Sequence, residues 1–221
     1  MKQQTFTSLL EHSFRERQRA IDRYCVQHRD TYLGMAAMIQ PDVSNWTQVY
    51  SRAAFAILSA NARFQDAVTA LAYVNRHKGQ VDADTLVGYR MTPDKAEWCN
   101  RLPVGRPLLA LTRQDSETYH DHRLRLKRDV LGLGLCKASF LTALLDPLNA
   151  DVACIDTHMQ KVYLGNTGFR SLSMTTYLGV EAKVRKVAER HHVSTFLAQW
   201  MIWDHTRGST TTHAIFPGSH K

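Results

Sequence analysis

The sequence lacks three features that define whole classes of protein. Its four cysteines lie far apart, at positions 25, 99, 136 and 154, which excludes a zinc knuckle or an iron–sulfur loop built from neighbouring thiols. No run approaches the ~20 uncharged apolar residues of a membrane-spanning helix. With 11 Gly, 6 Pro and few alternating β-branched segments, the chain is also poor in the signals of strands and tight hairpins.

Apolar residues instead recur at helical spacing, so we predict an all-α protein. Ser116 is placed to cap a charged helix that ends at Asp129, and a second helical pattern ends at Leu145. Gly132 and Gly134 lie between the two, which indicates a helix, a tight turn and a helix. Further helices are predicted near residues 46–57, 64–75, 93–101, 157–163, 175–190 and 194–207. The tail 208–221 is expected to be irregular.

The charge of the chain is positive and uneven. The 28 Lys+Arg against 20 Asp+Glu leave +8, and residues 101–221 hold 16 basic and 10 acidic residues, a net +6. This surplus favours an anionic partner, either nucleic acid or a membrane surface, bound mainly by the second half. Two sets of basic residues are candidates for contact with phosphates, and a solvated helix face is the alternative for each. The sets are Arg123, Arg125, Lys127 and Arg128, and Lys183, Arg185, Lys186 and Arg190.

The glycine turn itself does not fit a nucleotide site. It lacks the third glycine of a dinucleotide fingerprint, the Gly-Lys-Ser/Thr of a phosphate loop and a preceding strand. A helix-hairpin-helix remains, whose backbone N–H groups can bind a DNA phosphate without reading bases. Lys137 follows this turn, and Asp156 lies 19 residues further along in Cys154-Ile155-Asp156-Thr157-His158-Met159.

This run resembles the helix-hairpin-helix DNA glycosylase superfamily, which includes endonuclease III, adenine glycosylase and 8-oxoguanine glycosylase. The resemblance implies an all-α, two-lobed fold, with a central helical bundle over 46–150 and a second lobe from 1–45 plus 151–221. It also implies that Lys137 is the amine nucleophile and Asp156 the carboxylate that serves the reaction.

Cleavage of an N-glycosidic bond explains why these two residue types are needed together. Positive charge develops on the sugar, where an ionised carboxylate stabilises it, while a neutral amine attacks the anomeric carbon and forms a Schiff base. Taken alone, Lys137 is as well explained by a solvated or phosphate-binding lysine, and Asp156 by a helix N-cap. The pair at this spacing favours chemistry.

Two further segments extend the resemblance. The segment that ends at Asn61 resembles the early helix of these enzymes, which inserts an amide into the hole left by a flipped base, although Asn61 also suits a helix C-cap. Arg63 is the candidate for contact with the opposite base. In a late helix, Gln199 and Trp203 share one face and would read and stack on the flipped base with His158, while a core position is the alternative for Trp203.

The chain also departs from the superfamily pattern. The usual hairpin has glycines four and two residues before the lysine, whereas here those positions are Leu133 and Leu135. We therefore expect a reshaped turn in which Gly132 and Gly134 contact DNA. The iron–sulfur cysteines of the endonuclease III branch are missing, as is room for the N-terminal β domain of eukaryotic 8-oxoguanine glycosylases. No cofactor and no metal are expected.

The leading hypothesis is a bifunctional DNA N-glycosylase and AP lyase of base excision repair. It would act as a monomer on double-stranded DNA with a flipped base, without membrane contact, in the cytoplasm, either at the nucleoid or in a host cell if the chain is phage-encoded. One alternative is a phage-type base-hypermodification transferase of the α-glutamyl/putrescinyl thymine pyrophosphorylase group. Another is a non-catalytic helix-hairpin-helix module that only binds DNA. The sequence leaves the identity of the base open.

Overall fold

The structure is a computed structural model that describes residues 2–77, 80–86, 92–102, 110–165 and 171–208, with the backbone alone at 2–14 and 85. The described residues form nine α-helices and no strand, so the all-α prediction is confirmed. The helices are α1 (Lys2–Ile39), α2 (Trp46–Leu58), α3 (Phe64–Arg76), α4 (Thr92–Asn100), α5 (Tyr119–Asp129), α6 (Leu135–Leu145), α7 (Thr157–Leu164), α8 (Met174–His191) and α9 (Thr195–Arg207). A short 3-10 helix spans Asp84–Leu86. The tail expected to be irregular lies, after Gly208, outside the described residues.

Most of these helices begin where side chains satisfy the first free backbone N–H groups. The Asn45 side chain, for example, accepts from two N–H groups of α2. The prediction for α5 is wrong by two residues, because Thr118, not Ser116, is its N-cap. Asp121 lies three residues after Thr118 and bonds back to its N–H, so that the two residues complete a reciprocal capping box.

The N-terminal part of the chain is one helix of 38 residues, α1. It packs against α8 and α9. Arg29 Nε donates to the carbonyl of His191 at 2.8 Å, and the buried Tyr32 hydroxyl donates to Asp204 at 2.6 Å. The N-terminal helix is therefore held by the C-terminal helices. The division of the chain into two lobes remains a prediction.

The centre of the molecule is α2, in which every residue from Val49 to Leu58 is buried. It packs against α3, α4 and α6, while α5 packs against α6 and α7 against α9. This arrangement brings the C-terminal end of α2, the N-terminal ends of α6 and α7 and one face of α9 around one cavity.

A buried ion pair connects α5 to α8. Arg123 Nη1 lies 2.5 Å from Glu181 Oε1, and the two side chains are 1% and 2% exposed. Glu181 Oε1 also accepts from the N–H of Ala153 at 2.8 Å. The prediction that Arg123 belongs to a phosphate-contacting surface is therefore wrong. Its neighbour Arg125 bonds Glu117 at 2.5 Å.

Candidate active site

A cavity of about 920 Å³ is lined by all nine residues that the family resemblance implicated in catalysis, base recognition or DNA contact at the flipped base. Its volume lies in the range of ligand-binding pockets in proteins. The sequence-predicted residues among its lining are Asn61, Arg63, Gly132, Gly134, Lys137, Asp156, His158, Gln199 and Trp203. Asn61 and Trp203, for example, lie 142 positions apart in the chain and line the same cavity.

The two hairpin glycines have different structural roles. Gly132 has φ +84, and a Cβ atom there would lie 2.4 Å from Cε3 of Trp98, so both conformation and space require glycine. Gly134 is the N-cap of α6 with φ −72, and a Cβ there would meet nothing within 4 Å. The turn with shifted glycines still joins α5 to α6 as a hairpin.

Lys137 lies in the first turn of α6. Its Nζ donates to Ser59 Oγ at 2.9 Å and lies 5.2 Å from the centroid of the Phe140 ring. Ser59 Oγ in turn donates to the carbonyl of Ala56 at 3.0 Å. Ser59 could not be predicted as the partner of Lys137, because the two residues lie 78 positions apart and no local pattern in the sequence indicates a bond between them.

Asp156 is held at both carboxylate oxygens. Oδ1 accepts from the N–H of Met159 at 3.0 Å, which makes Asp156 the N-cap of α7. Oδ2 accepts from Trp203 Nε1 at 2.8 Å. The N-cap interpretation of Asp156 is therefore correct. The residue also lines the cavity, where its second oxygen binds Trp203 of α9.

The backbone that leads into Asp156 is held from behind. The Tyr177 hydroxyl donates to the carbonyl of Ala153 at 2.6 Å and accepts from the N–H of Ile155 at 3.2 Å. Burial raises the pKa of Tyr177 well above its ordinary value, so the hydroxyl keeps the proton that it donates. Together with Glu181, which binds the N–H of Ala153, Tyr177 fixes the segment 153–155.

The predicted base-reading pair is partly engaged within the protein. Gln199 is 6% exposed, and its Oε1 accepts weakly from the N–H of Cys154 at 3.4 Å. The guanidinium of Arg207 lies 4.2 Å from the centre of the Trp203 indole and so covers one of its faces. The His158 ring meets the same indole edge-on, with centroids 5.9 Å apart. A base can stack on the covered face only after Arg207 moves.

Asn61 and Arg63 lie at the rim of the cavity, just after α2. Helix α2 has its C-cap at Ser59, so Asn61 is not the C-cap. It has φ +52, a left-handed conformation that asparagine adopts more readily than most residues, and it is exposed. Arg63 is 87% exposed and binds Asp66 at 2.7 Å.

Two cysteines face each other in the cavity wall. The Sγ atoms of Cys136 and Cys154 lie 3.2 Å apart, and both residues line the cavity. The hydrogen bond to Cys136, together with burial, raises the pKa of Cys154 well above its ordinary value, while the positive charge of Lys137 acts in the opposite direction. These thiols flank the lysine and the carboxylate in sequence as well as in space.

Across the residues that the structure describes, no group of three His, Cys, Asp or Glu side chains is arranged to hold a metal ion. No helix among them is long and apolar enough to cross a membrane.

Three solved structures of DNA glycosylases are similar in fold to this chain. The 8-oxoguanine DNA glycosylase of Thermotoga maritima superimposes with a TM-score of 0.70 and 20% identity, over 90% of this chain and 98% of that one. The chain has the fold of 8-oxoguanine DNA glycosylases. The glycosylase of Methanocaldococcus jannaschii agrees, with a TM-score of 0.68 and 18% identity over 90% and 97% of the chains.

One of the similar structures is a complex with DNA. The Methanocaldococcus jannaschii 8-oxoguanine glycosylase/lyase, in complex with a 15mer DNA that contains 8-oxoguanine, matches with a TM-score of 0.67 and 18% identity, over 85% of this chain and 97% of that one. No protein-family model and no curated protein matches the sequence. At 18–20% identity, the similarity between this chain and the three glycosylase structures shows a common fold. That fold is the one that the resemblance in sequence implied.

Proposed function

We propose that the chain is a bifunctional DNA N-glycosylase and AP lyase that removes a damaged base flipped out of double-stranded DNA. The observation that carries this proposal is that Lys137 and Asp156, from the starts of two different helices, line one cavity together with Gln199 and Trp203. The glycosylase fold of the chain supports it. Because the similar structures are glycosylases of 8-oxoguanine, that base is the first substrate to test.

Lys137 is the nucleophile in this reaction. Its neutral Nζ attacks C1′ of the sugar, the bond from C1′ to the base breaks, and the base leaves with the bonding electrons. Loss of a proton and opening of the sugar ring give a Schiff base between Nζ and C1′. Abstraction of a proton from C2′ then allows β-elimination of the 3′ phosphate. Ser59 holds Nζ beside Phe140 before the reaction.

Asp156 stabilises the positive charge that develops on the sugar as the base leaves. A carboxylate does this best when it is oriented beforehand, so that no reorganisation is needed during the reaction. The N–H of Met159 and the indole N–H of Trp203 supply that orientation. We therefore assign Trp203 a positioning role through Asp156, in addition to its surface for a base.

The remaining residues would bind the DNA around the flipped nucleotide. Gln199 offers its amide nitrogen, which has no protein partner among the described residues, to an edge of the base. Asn61 stands exposed at the rim, where a side chain can fill the gap in the base stack, with Arg63 beside the opposite base. The hairpin of Gly132 and Gly134 places the first free N–H groups of α6 where a phosphate can bind them.

Reduction of the Schiff base with borohydride tests this mechanism. We expect the chain to form a covalent adduct with duplex DNA that contains 8-oxoguanine and with duplex DNA that contains a preformed abasic site. Lys137→Ala should abolish both adducts. Asp156→Asn should strongly reduce the adduct with the 8-oxoguanine duplex. It should largely retain the adduct with the abasic duplex, because an abasic site has no base left to remove.

The matched control is Lys161→Ala, which removes an exposed lysine on α7 outside the cavity and should retain both adducts. A protein that binds the duplex yet forms no adduct on any lesion or abasic site would contradict the proposal. That result would favour either the base-modifying transferase or the binding module.

A further inference from the structure

Cys136 and Cys154 form a pair that the proposed reaction does not use. Their sulfur atoms lie 3.2 Å apart, and a disulfide bond has a length of about 2.05 Å. The sulfurs therefore need to approach by only about 1.2 Å to form one. The other two thiols, Cys25 and Cys99, are fully buried and do not line the cavity.

The two sulfurs differ in access to solvent. Both residues line the cavity, but Cys136 is partly exposed, whereas Cys154 is only 5% exposed. A small oxidant that enters the cavity therefore meets Cys136 first, and Cys154 stands within reach as the second thiol.

We propose that Cys136 and Cys154 are an oxidation site in the wall of the cavity, which hydrogen peroxide converts to a disulfide that slows base excision. Peroxide transfers one oxygen to Cys136, giving a sulfenic acid and water. The Cys154 sulfur then attacks the oxidised sulfur and displaces a second water. Two thiols and one peroxide thus give one disulfide and two waters, and the two electrons that the thiols lose reduce the peroxide.

The effect on excision follows from where the two cysteines lie. Cys136 directly precedes Lys137 in the first turn of α6, and Cys154 lies two residues before Asp156. The disulfide ties the backbone of the nucleophile to the backbone of the carboxylate and shifts their spacing. A displacement of about 1 Å in reacting groups can slow catalysis by about 100-fold. This consequence rests on the proposed function, whereas formation of the disulfide does not.

The experiment uses the full chain, reduced and then treated with hydrogen peroxide. We expect mass spectrometry to show a loss of two hydrogens and a proteolytic peptide that joins Cys136 to Cys154. Single-turnover excision from 8-oxoguanine duplex should fall by about 100-fold and recover with dithiothreitol. In Cys154→Ser, peroxide should oxidise Cys136 beyond sulfenic acid, so that dithiothreitol no longer reverses the modification.

The matched control is the double variant Cys25→Ser, Cys99→Ser, which keeps the cavity pair and should behave like the wild type. Absence of the Cys136–Cys154 peptide after peroxide treatment would overturn the proposal, and so would an excision rate that is unchanged in the cross-linked protein. If the reduced chain excises no base, the proposed function fails, yet the mass measurement still shows whether the disulfide forms.

Discussion

The two sides of the cavity hold their functional groups in different ways. On the lysine side, which we define as Ser59, Lys137 and the hairpin glycines, Nζ has one hydrogen bond within the described residues, at 2.9 Å to Ser59. On the carboxylate side, defined as Asp156, Trp203, Tyr177 and Glu181, both oxygens of Asp156 are bound. The backbone before Asp156 is bound as well, by Tyr177 and Glu181.

This difference matches what the proposed reaction asks of each group. The amine must travel to the sugar, form a bond and carry the sugar through elimination, and a lysine on its flexible four-carbon stem can do so. The carboxylate must already lie where the positive charge of the sugar develops. A group that has to reorient during the reaction stabilises that charge less. One side of the cavity is built for reach and the other for fixed position.

The largest expected effect comes from breaking the support of the carboxylate side. Glu181→Ala leaves Arg123 buried without its partner, and loss of one member of a buried ion pair costs about 3–5 kcal/mol. We expect the free energy of unfolding in urea to fall by that amount. Asp129→Ala, which breaks an exposed pair with Arg128, should leave it unchanged. Equal effects of the two variants would show that the buried pair does not support this side.

The next effect separates the two glycines of the lysine side. Gly132→Ala forces a side chain into a left-handed backbone conformation and into the Trp98 ring, at a combined cost of about 3 kcal/mol. Gly134→Ala meets open space and should cost less than about 1 kcal/mol. Thermal unfolding of the two variants measures both. A loss of stability in Gly132→Ala as small as that expected for Gly134→Ala would mean that the hairpin tolerates a side chain at Gly132.

A smaller effect tests whether Trp203 acts through Asp156. Trp203→Phe keeps an aromatic surface but removes the N–H that binds the carboxylate. A hydrogen bond to a charged group contributes about 1.5–3 kcal/mol, so the single-turnover excision rate should fall by about 10- to 100-fold. The KM for the duplex should change little.

The same substitution in an Asp156→Asn background should have no further effect, because the group through which Trp203 acts has already been changed. Additive losses in the double variant would instead assign Trp203 an independent role in stacking. Trp46→Phe, at a tryptophan that stacks on Tyr50 and does not line the cavity, is the control and should retain the wild-type rate.

The smallest effect concerns the single partner of the lysine. Ser59→Ala removes a hydrogen bond worth about 1 kcal/mol, so we expect excision to slow by about fivefold. Ser51→Ala, in the helix that Ser59 caps and also bonded to a backbone carbonyl, should leave the rate unchanged. A loss of 100-fold in Ser59→Ala would mean that the lysine side is as tightly positioned as the carboxylate side.

Local patterns in the sequence were sufficient to predict most of the helices after residue 45, whereas the site residues were implied by the family resemblance. Apolar periodicity and caps report on neighbours within about four residues, which is the range over which a helix is determined. The resemblance to the glycosylase superfamily implied that Lys137 and Asp156 serve one reaction, and the structure places both in one cavity. What these patterns could not show is which partner each of them has.

Those partners come from distant parts of the chain. Ser59 lies 78 residues before Lys137, and Trp203 lies 47 residues after Asp156. The same limit explains why Arg123 was expected at the surface, since its partner Glu181 is 58 residues away. A charged residue in a helical pattern is predicted to lie in solvent, because its sequence neighbours do not show which opposite charge the tertiary fold brings beside it.

The order in which the chain is synthesised gives the position of α1 a further consequence. This helix leaves the ribosome before the other eight α-helices of the described residues, and Asp204 and His191 follow 172 and 162 residues after their partners in α1. Contacts this distant form late, because closing a long loop costs entropy before any contact repays it. Because residues of α9 line the cavity, no nascent chain has a complete cavity until α9 has emerged.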